Sequence, residues 1–143
     1  MKRIFFFVLA ALLAVTLFMG MVHAVLVVAH LSEPAATTVP GTTPARLWAT
    51  TAAGLALFSV VIGGLAARRS NVRIGIGSGR RGAILALAAG LIAMVNAGLI
   101  LAVANGGPGT GNGVVGAAGA FVLGLIAMAI GGVVLVRQQR RQP

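Results

Sequence analysis

The chain has 143 residues, of which 59% are apolar and only 8% are charged, and its formal net charge at neutral pH is +10. This small number of charged side chains cannot cover the surface of a water-soluble domain, and the composition therefore excludes a water-soluble protein. Cysteine is absent and Glu33 is the only acidic residue, which excludes disulfides, cysteine metal sites and catalysis by carboxylate pairs. We therefore expect no enzymatic activity, no cofactor and no bound metal.

The first predicted element is an apolar segment that follows Lys2 and Arg3. It fits a signal peptide of residues 1–24, because Val22-His23-Ala24 has compact residues where signal peptidase needs them. It also fits an uncleaved first transmembrane helix of residues 4–30, because the apolar run is longer than that of a usual signal peptide. The mature protein has three membrane spans in the first case and four in the second.

A polar segment follows at residues 31–45, interrupted by Pro34, Pro40, Gly41 and Pro44. This composition predicts an extended, weakly ordered extracytoplasmic segment that leads into the next helix. Trp48, just after this segment, is placed as an anchor at the membrane interface.

Three uncharged stretches come next, at residues 47–66, 83–104 and 114–136. At about 1.5 Å per residue, each forms a helix of about 30 to 35 Å, which is enough to cross a bilayer. The alternation of polar and apolar residues that marks membrane β-strands is absent, so the sequence predicts an all-α polytopic transmembrane protein. These spans form a membrane domain, residues 46–136, which is followed by a basic tail, residues 137–143.

The arginines predict the orientation of the chain in the membrane. The loop between the first two of these spans is rich in arginine, the tail contains Arg137, Arg140 and Arg141, and residues 105–113 are uncharged. The positive-inside rule then places the loop and the C-terminus on the cytoplasmic side of a bacterial cytoplasmic membrane. Because the arginines flank apolar spans and lack interleaved aromatic residues, we expect no nucleic-acid partner.

The arginines of this loop are also candidate contacts for anionic lipid head groups, since glycines at residues 77–82 expose backbone N–H groups beside them. The alternative is that they only determine orientation. Residues 77–82 match a dinucleotide-binding pattern, but no strand precedes them and no acidic residue follows. The candidate lipid contacts are Arg68, Arg69, Arg73, Arg80 and Arg81.

Small residues recur at four-residue spacing in all three later spans, a pattern that lets helix backbones approach closely. They pack the helices of one chain together, or they join copies into an oligomer. Asn96, the only amide in these spans, needs a hydrogen-bond partner in lipid, and Ser59 or a backbone carbonyl would serve. The candidate packing residues are Ser59, Gly63, Asn96, Gly116, Ala120 and Gly124.

Two further patterns concern the last pair of spans. The string Gly-Leu-Ile-Ala-Met occurs at residues 90–94 and again at 124–128, which indicates either a duplicated helix or a chance repetition. Residues 105–113 contain five glycines and one proline, which favours a tight link between helices with positive φ angles.

Three strings carry a resemblance to known proteins: Arg-Leu-Trp-Ala at residues 46–49, Gly-Arg-Arg-Gly-Ala at residues 79–83, and Gly-Gly-Pro-Gly-Thr-Gly-Asn-Gly-Val-Val-Gly at residues 106–116. Together they resemble a family of small bacterial integral membrane proteins known only as a domain of unknown function, over roughly residues 46–136. The resemblance implies a three-helix domain in a bacterial membrane, and it assigns no catalytic residue.

The sequence thus predicts a small integral membrane protein of unknown biochemical activity, whose favoured role is that of a non-enzymatic structural or accessory subunit. Its expected partners are membrane lipids, further copies of itself or a larger membrane protein. The alternative is an oligomeric pathway for a small solute or ion, with Asn96 and Ser59 facing inward.

Overall fold

The computed structural model describes residues 2–68 and 79–140, with side chains for all of these except residues 2–8 and 11. These ranges contain four α-helices and no strand, which confirms the all-α prediction. The helices are α1 (Lys2–Val28), α2 (Pro44–Arg68), α3 (Gly79–Val103) and α4 (Val114–Gln139).

Helices α2, α3 and α4 are each long and apolar enough to cross a membrane. Each of the three helices begins at or before the first residue of its predicted apolar stretch, and α2 and α4 also continue beyond the last residue of theirs. Residues that are not apolar can still form helical hydrogen bonds at a helix end. In α1 the apolar part with described side chains, Leu12–Val28, is shorter. The prediction of three helices that can span a membrane, preceded by an N-terminal apolar segment, is therefore confirmed. Whether that segment is a cleaved signal peptide or a fourth span stays a prediction.

The three long helices pack as one bundle. Gly63 of α2 lies against Ala86 of α3 and Ile130 of α4, so all three helices meet at this level. Gly116 of α4 lies against Ala49 of α2. Because these α2–α4 contacts follow the same order along both helices, α2 and α4 run parallel, and α3 between them in the chain runs antiparallel.

The bundle has small residues inside and large apolar residues outside. Alanine dominates the buried positions, and the largest fully buried side chains are those of Val122 and Ser59. Large apolar side chains, leucine and valine among them, are exposed along every long helix; Leu99, for example, is 62% exposed. This distribution is the reverse of that in a water-soluble bundle, and it suits a lipid environment, where close backbone packing replaces burial of large side chains.

Helix α1 packs beside the bundle rather than within it. Among the described residues it contacts only α4, where Phe18 lies close to Gly119 and the side chains of Val22 and Leu26 are buried. The helix ends with His30 in the left-handed region, at φ 56°, which turns the chain toward α2. Most of the remaining described side chains of α1 are exposed.

Two chain segments cover one end of the bundle: the connector (residues 29–43), which joins α1 to α2, and the glycine loop (residues 105–113), which joins α3 to α4. The backbone N–H of Ala35 donates to Pro108 O over 2.8 Å, and that of Val39 donates to Gly109 O over 2.9 Å. We call this end the connector end. The connector was expected to be weakly ordered, but the structure ties it to the glycine loop through its backbone.

Candidate functional site

The candidate helix-packing residues lie mostly inside the bundle of a single chain. Ser59 and Gly63 are buried on α2, Ala120 and Gly124 are buried on α4, and Gly116 is half-buried. A methyl group built on Gly63 would lie 3.2 Å from Ala86 Cβ, and one built on Gly116 would lie 3.3 Å from Ala49 Cβ. The structure thus places these small residues where α2, α3 and α4 of one chain approach one another.

The repeated pentapeptide forms the crossing of α3 and α4. A methyl group on Gly124 would lie 2.8 Å from Gly90 O, and one on Gly90 would lie 3.1 Å from Gly124 O. The partners are also equivalent, since Gly90 faces Ala127 and Met128 while Gly124 faces Met94. Two copies of one string therefore meet in opposite directions around an approximate twofold axis, with only glycine allowing the backbones this close.

Ser59 and Asn96 do not form the hydrogen bond that the sequence suggested as one possibility. The Ser59 hydroxyl is buried and donates to Leu55 O in its own helix over 2.7 Å. Asn96 is half-buried on α3. No buried side-chain nitrogen or oxygen atom of the described residues lacks a hydrogen-bond partner, so the Asn96 amide is not a buried unsatisfied group. Helical Ser and Thr residues commonly satisfy their hydroxyl donor in this way, and the Ser59 donor is used within α2 rather than toward Asn96.

The end opposite the connector end carries the described arginines of the loop and tail, and we call it the arginine end. Arg68 and Arg81 are exposed at the ends of their helices, whereas Arg69 and Arg73 lie outside the described residues. Arg80 differs from its neighbour Arg81 because it lines a cavity of about 440 Å³. The other residues lining this cavity are Ile84, Leu135, Gln138 and Gln139.

Gln138 and Gln139 were not among the predicted site residues, because they lie in or next to the basic tail and carry no charge. In the structure α4 continues through Gln139, so both amides are held on the helix opposite the beginning of α3. The antiparallel hairpin of α3 and α4 brings these distant positions together. A search of the tail for polar side chains within reach of the first turn of α3 would have found them.

Thr43 joins the connector end to the first residues of α2. Its hydroxyl accepts a hydrogen bond from the Arg46 N–H over 3.2 Å, as an N-cap residue does, and Pro44 takes the first helical position. The same hydroxyl donates to Gly111 O in the glycine loop. One side chain thus begins α2 and fastens it to the loop that begins α4.

A cleft of about 330 Å³ opens between the beginning of α2 and the glycine loop. Arg46, Ala49 and Thr50 line one wall, and loop residues including Gly109 and Gly111 line the other. The Arg46 guanidinium donates to Gly41 O, and the Thr50 hydroxyl donates to Arg46 O over 2.8 Å. The Arg46 side chain therefore ties the beginning of α2 to the connector, whereas the Thr50 hydroxyl is satisfied within α2.

Both ends of the bundle suit the boundaries of a bilayer. Trp48 lies one turn into α2 and is 63% exposed, and Arg68 ends the same helix. At about 1.5 Å per residue, these two positions lie about 30 Å apart, which is the thickness of the hydrocarbon core. An exposed tryptophan at one boundary and arginines at the other are the usual interfacial anchors of a spanning helix.

Comparison with known proteins gives one match. Residues 44–142 match the profile of a family described as "Family of unknown function (DUF6223)", which confirms the resemblance to an uncharacterised domain. The matched region contains α2, the glycine loop, α3 and α4, but not α1. No curated protein and no solved structure matches the chain.

Proposed function

Because the chain belongs to this family of unknown function, DUF6223, we propose a role on the strength of its own bundle: a non-enzymatic accessory subunit of a bacterial cytoplasmic membrane. The observation that supports it is a face of α2 that no other helix of the described residues covers. We call it the outer face, and it is less apolar than a surface that contacts only lipid. Its exposed residues are Leu47, Thr50, Thr51, Gly54, Phe58 and Val61.

The outer face has properties of a helix–helix contact. A methyl group on Gly54 would meet nothing within 4 Å, so packing inside the chain does not require glycine at this position. Among the described residues α1 contacts only α4, so α1 leaves this face uncovered. With a mean hydropathy of 1.8 against 2.4 and 2.5, α2 is also the least apolar of the three long helices. An exposed glycine beside threonines allows close approach of a helix from a membrane-embedded partner.

Site-specific photocrosslinking tests this proposal in intact membranes. A photoreactive residue at Val61, which is 52% exposed on the outer face, should form an adduct with one defined partner protein. The same residue at Ile92, which is 59% exposed on α3, serves as the matched control and should not form that adduct. Gly54→Leu, which blocks close approach without an internal clash, should lower the adduct yield at Val61 about tenfold. Gly132→Leu on α4, where a methyl group also meets nothing within 4 Å, should leave it unchanged.

Absence of an adduct at Val61, or an adduct only between two copies of this chain, would overturn the accessory role. An oligomeric pathway is the second candidate, and the half-buried Asn96, the only amide within the three predicted spans, favours it. Solute or ion flux through liposomes containing the purified chain, abolished by Asn96→Leu, would establish that alternative instead. We expect no flux, because the buried Ser59 cannot face a pathway formed between copies.

The proposed orientation puts the connector end outside and the C-terminus in the cytoplasm, as the arginine-rich end favours. The chain has no cysteine, so single cysteines report position without interference. In intact spheroplasts, a membrane-impermeant thiol reagent should label Thr37→Cys in the connector but label Arg140→Cys only after lysis; both positions are exposed. Labelling of Arg140→Cys from outside would reverse the orientation.

A further inference from the structure

The cavity at the arginine end combines a charge, two amides and an apolar wall. Arg80 lies in the first turn of α3, and Gln138 and Gln139 lie at the end of α4 on the opposite side of the cavity. Ile84 and Leu135 lie one turn farther into the membrane domain on the same two helices. The cavity thus changes from cationic and polar at its outer rim to apolar toward the interior of the bilayer.

The protein offers no acidic side chain to neutralise the guanidinium groups at this end. Glu33 is the only acidic residue of the chain, and it lies in the connector at the opposite end of the bundle. The cationic side chains described at the arginine end are Arg68, Arg80, Arg81, Arg137 and Arg140. Since guanidinium binds phosphate through paired N–H donors, an anionic lipid is the chemically matched counter-ion at a membrane boundary.

We propose that this cavity binds one anionic glycerophospholipid. The Arg80 guanidinium donates to the phosphate oxygens, the Gln138 and Gln139 amides donate to the phosphate and glycerol oxygens, and one acyl chain lies along Ile84 and Leu135. A volume of about 440 Å³ accommodates a phosphate with its glycerol, and the rest of the lipid extends into the bilayer. The inference depends on the membrane placement given above, but not on the partner contact at α2.

The site predicts a difference between two adjacent arginines. Arg81 carries the same charge as Arg80 and lies about 100° farther around the helix, so it does not line the cavity. General attraction between a basic surface and anionic lipid would involve both arginines equally. A bound lipid in the cavity depends on Arg80 much more than on Arg81, which makes Arg81 the matched control.

Native mass spectrometry of the full chain with phosphatidylglycerol measures this difference. Arg80→Gln should weaken binding of the first lipid about tenfold, whereas Arg81→Gln should weaken it less than twofold. Ile84→Trp, which fills the cavity from an exposed position and keeps every charge, should also weaken it about tenfold. Phosphatidylcholine should bind the unchanged chain at least tenfold more weakly than phosphatidylglycerol.

Equal losses for Arg80→Gln and Arg81→Gln would overturn the proposal, as would unchanged binding by Ile84→Trp or equal affinity for the two lipids. Inorganic phosphate at millimolar concentration should not displace the lipid, because it lacks the acyl chain; full displacement would show a site for soluble phosphate instead. Photocrosslinking at Val61 tests the accessory role on α2, whereas lipid binding tests the cavity between α3 and α4. Each proposal can therefore fail without affecting the measurement that tests the other.

Discussion

Replacing Gly107 with alanine should detach the connector from the glycine loop and lower the free energy of unfolding by about 2 kcal/mol. The reason is steric, because a methyl group on Gly107 would lie 2.6 Å from Leu31 O and closer still to Glu33 O. Neither oxygen belongs to a flexible side chain, so the connector backbone itself must move away. The hydrogen bonds from Ala35 and Val39 to the glycine loop depend on this close approach.

Hydrogen exchange of the full chain in detergent micelles, combined with thermal unfolding, measures the effect of Gly107→Ala. The amides of Ala35 and Val39 should exchange at least tenfold faster in the variant, while amides in the middle of α3 keep their protection. Gly54→Ala is the matched control, because a methyl group there meets nothing within 4 Å, and its stability should be equal or slightly higher. Unchanged exchange at Ala35 would show that the connector does not rest on the glycine loop.

Gly124→Leu should separate α3 from α4 and destabilise the bundle by about 3 kcal/mol. The side chain would have to occupy space now filled by the backbone of Gly90 and by Met94, and both lie on a helix that other contacts hold in place. Bundles in lipid depend on such close packing, since burial of large apolar side chains gives little preference between helix and lipid contacts. The crossing is therefore more sensitive to added volume than the outer surface.

Spin labels on single cysteines at Arg81 and Arg137, both exposed at the arginine end, report the spacing of the two helices. Gly124→Leu should lengthen and broaden the measured distance distribution. Gly132→Leu on the same helix is the control, because a methyl group there meets nothing within 4 Å and the distribution should match that of the unchanged chain. An equally narrow distribution in Gly124→Leu would show that the crossing tolerates a large side chain.

The helices and their close packing follow from side-chain patterns, and those parts were predictable. Uncharged runs of apolar residues predict membrane helices, and small residues at Gly63 and Gly124 predict where backbones approach. The helix ends were less predictable, because Pro44 and Gln139 are helical without being apolar. A hydropathy pattern marks the lipid-exposed length of a helix rather than the extent of its hydrogen bonding.

The contacts between loops were not predictable, because they join backbone to backbone. The N–H of Val39 and the carbonyl of Gly109 belong to segments far apart in the sequence, and neither residue type specifies the other. The lipid cavity raises a related difficulty, since Arg80 was a candidate contact but its partner Gln138 was not. Arg80 and Gln138 lie beside the same cavity because of the register of α3 against α4. That register is defined by the packing of Gly90 against Gly124, which the sequence alone does not show.

The close crossing of α3 and α4 has a consequence for pairing specificity. Because copies of the chain share one orientation in the membrane, α4 of a neighbouring molecule also runs antiparallel to α3 and offers it the same five-residue string as the α4 of its own chain. The side chains therefore distinguish self from non-self poorly at this crossing. The glycine loop, only nine residues long, raises the local concentration of α4 around α3 far above that of any neighbouring molecule. Correct pairing at the centre of the bundle is thus determined largely by a short tether at its edge, so a longer tether would favour helix exchange between molecules.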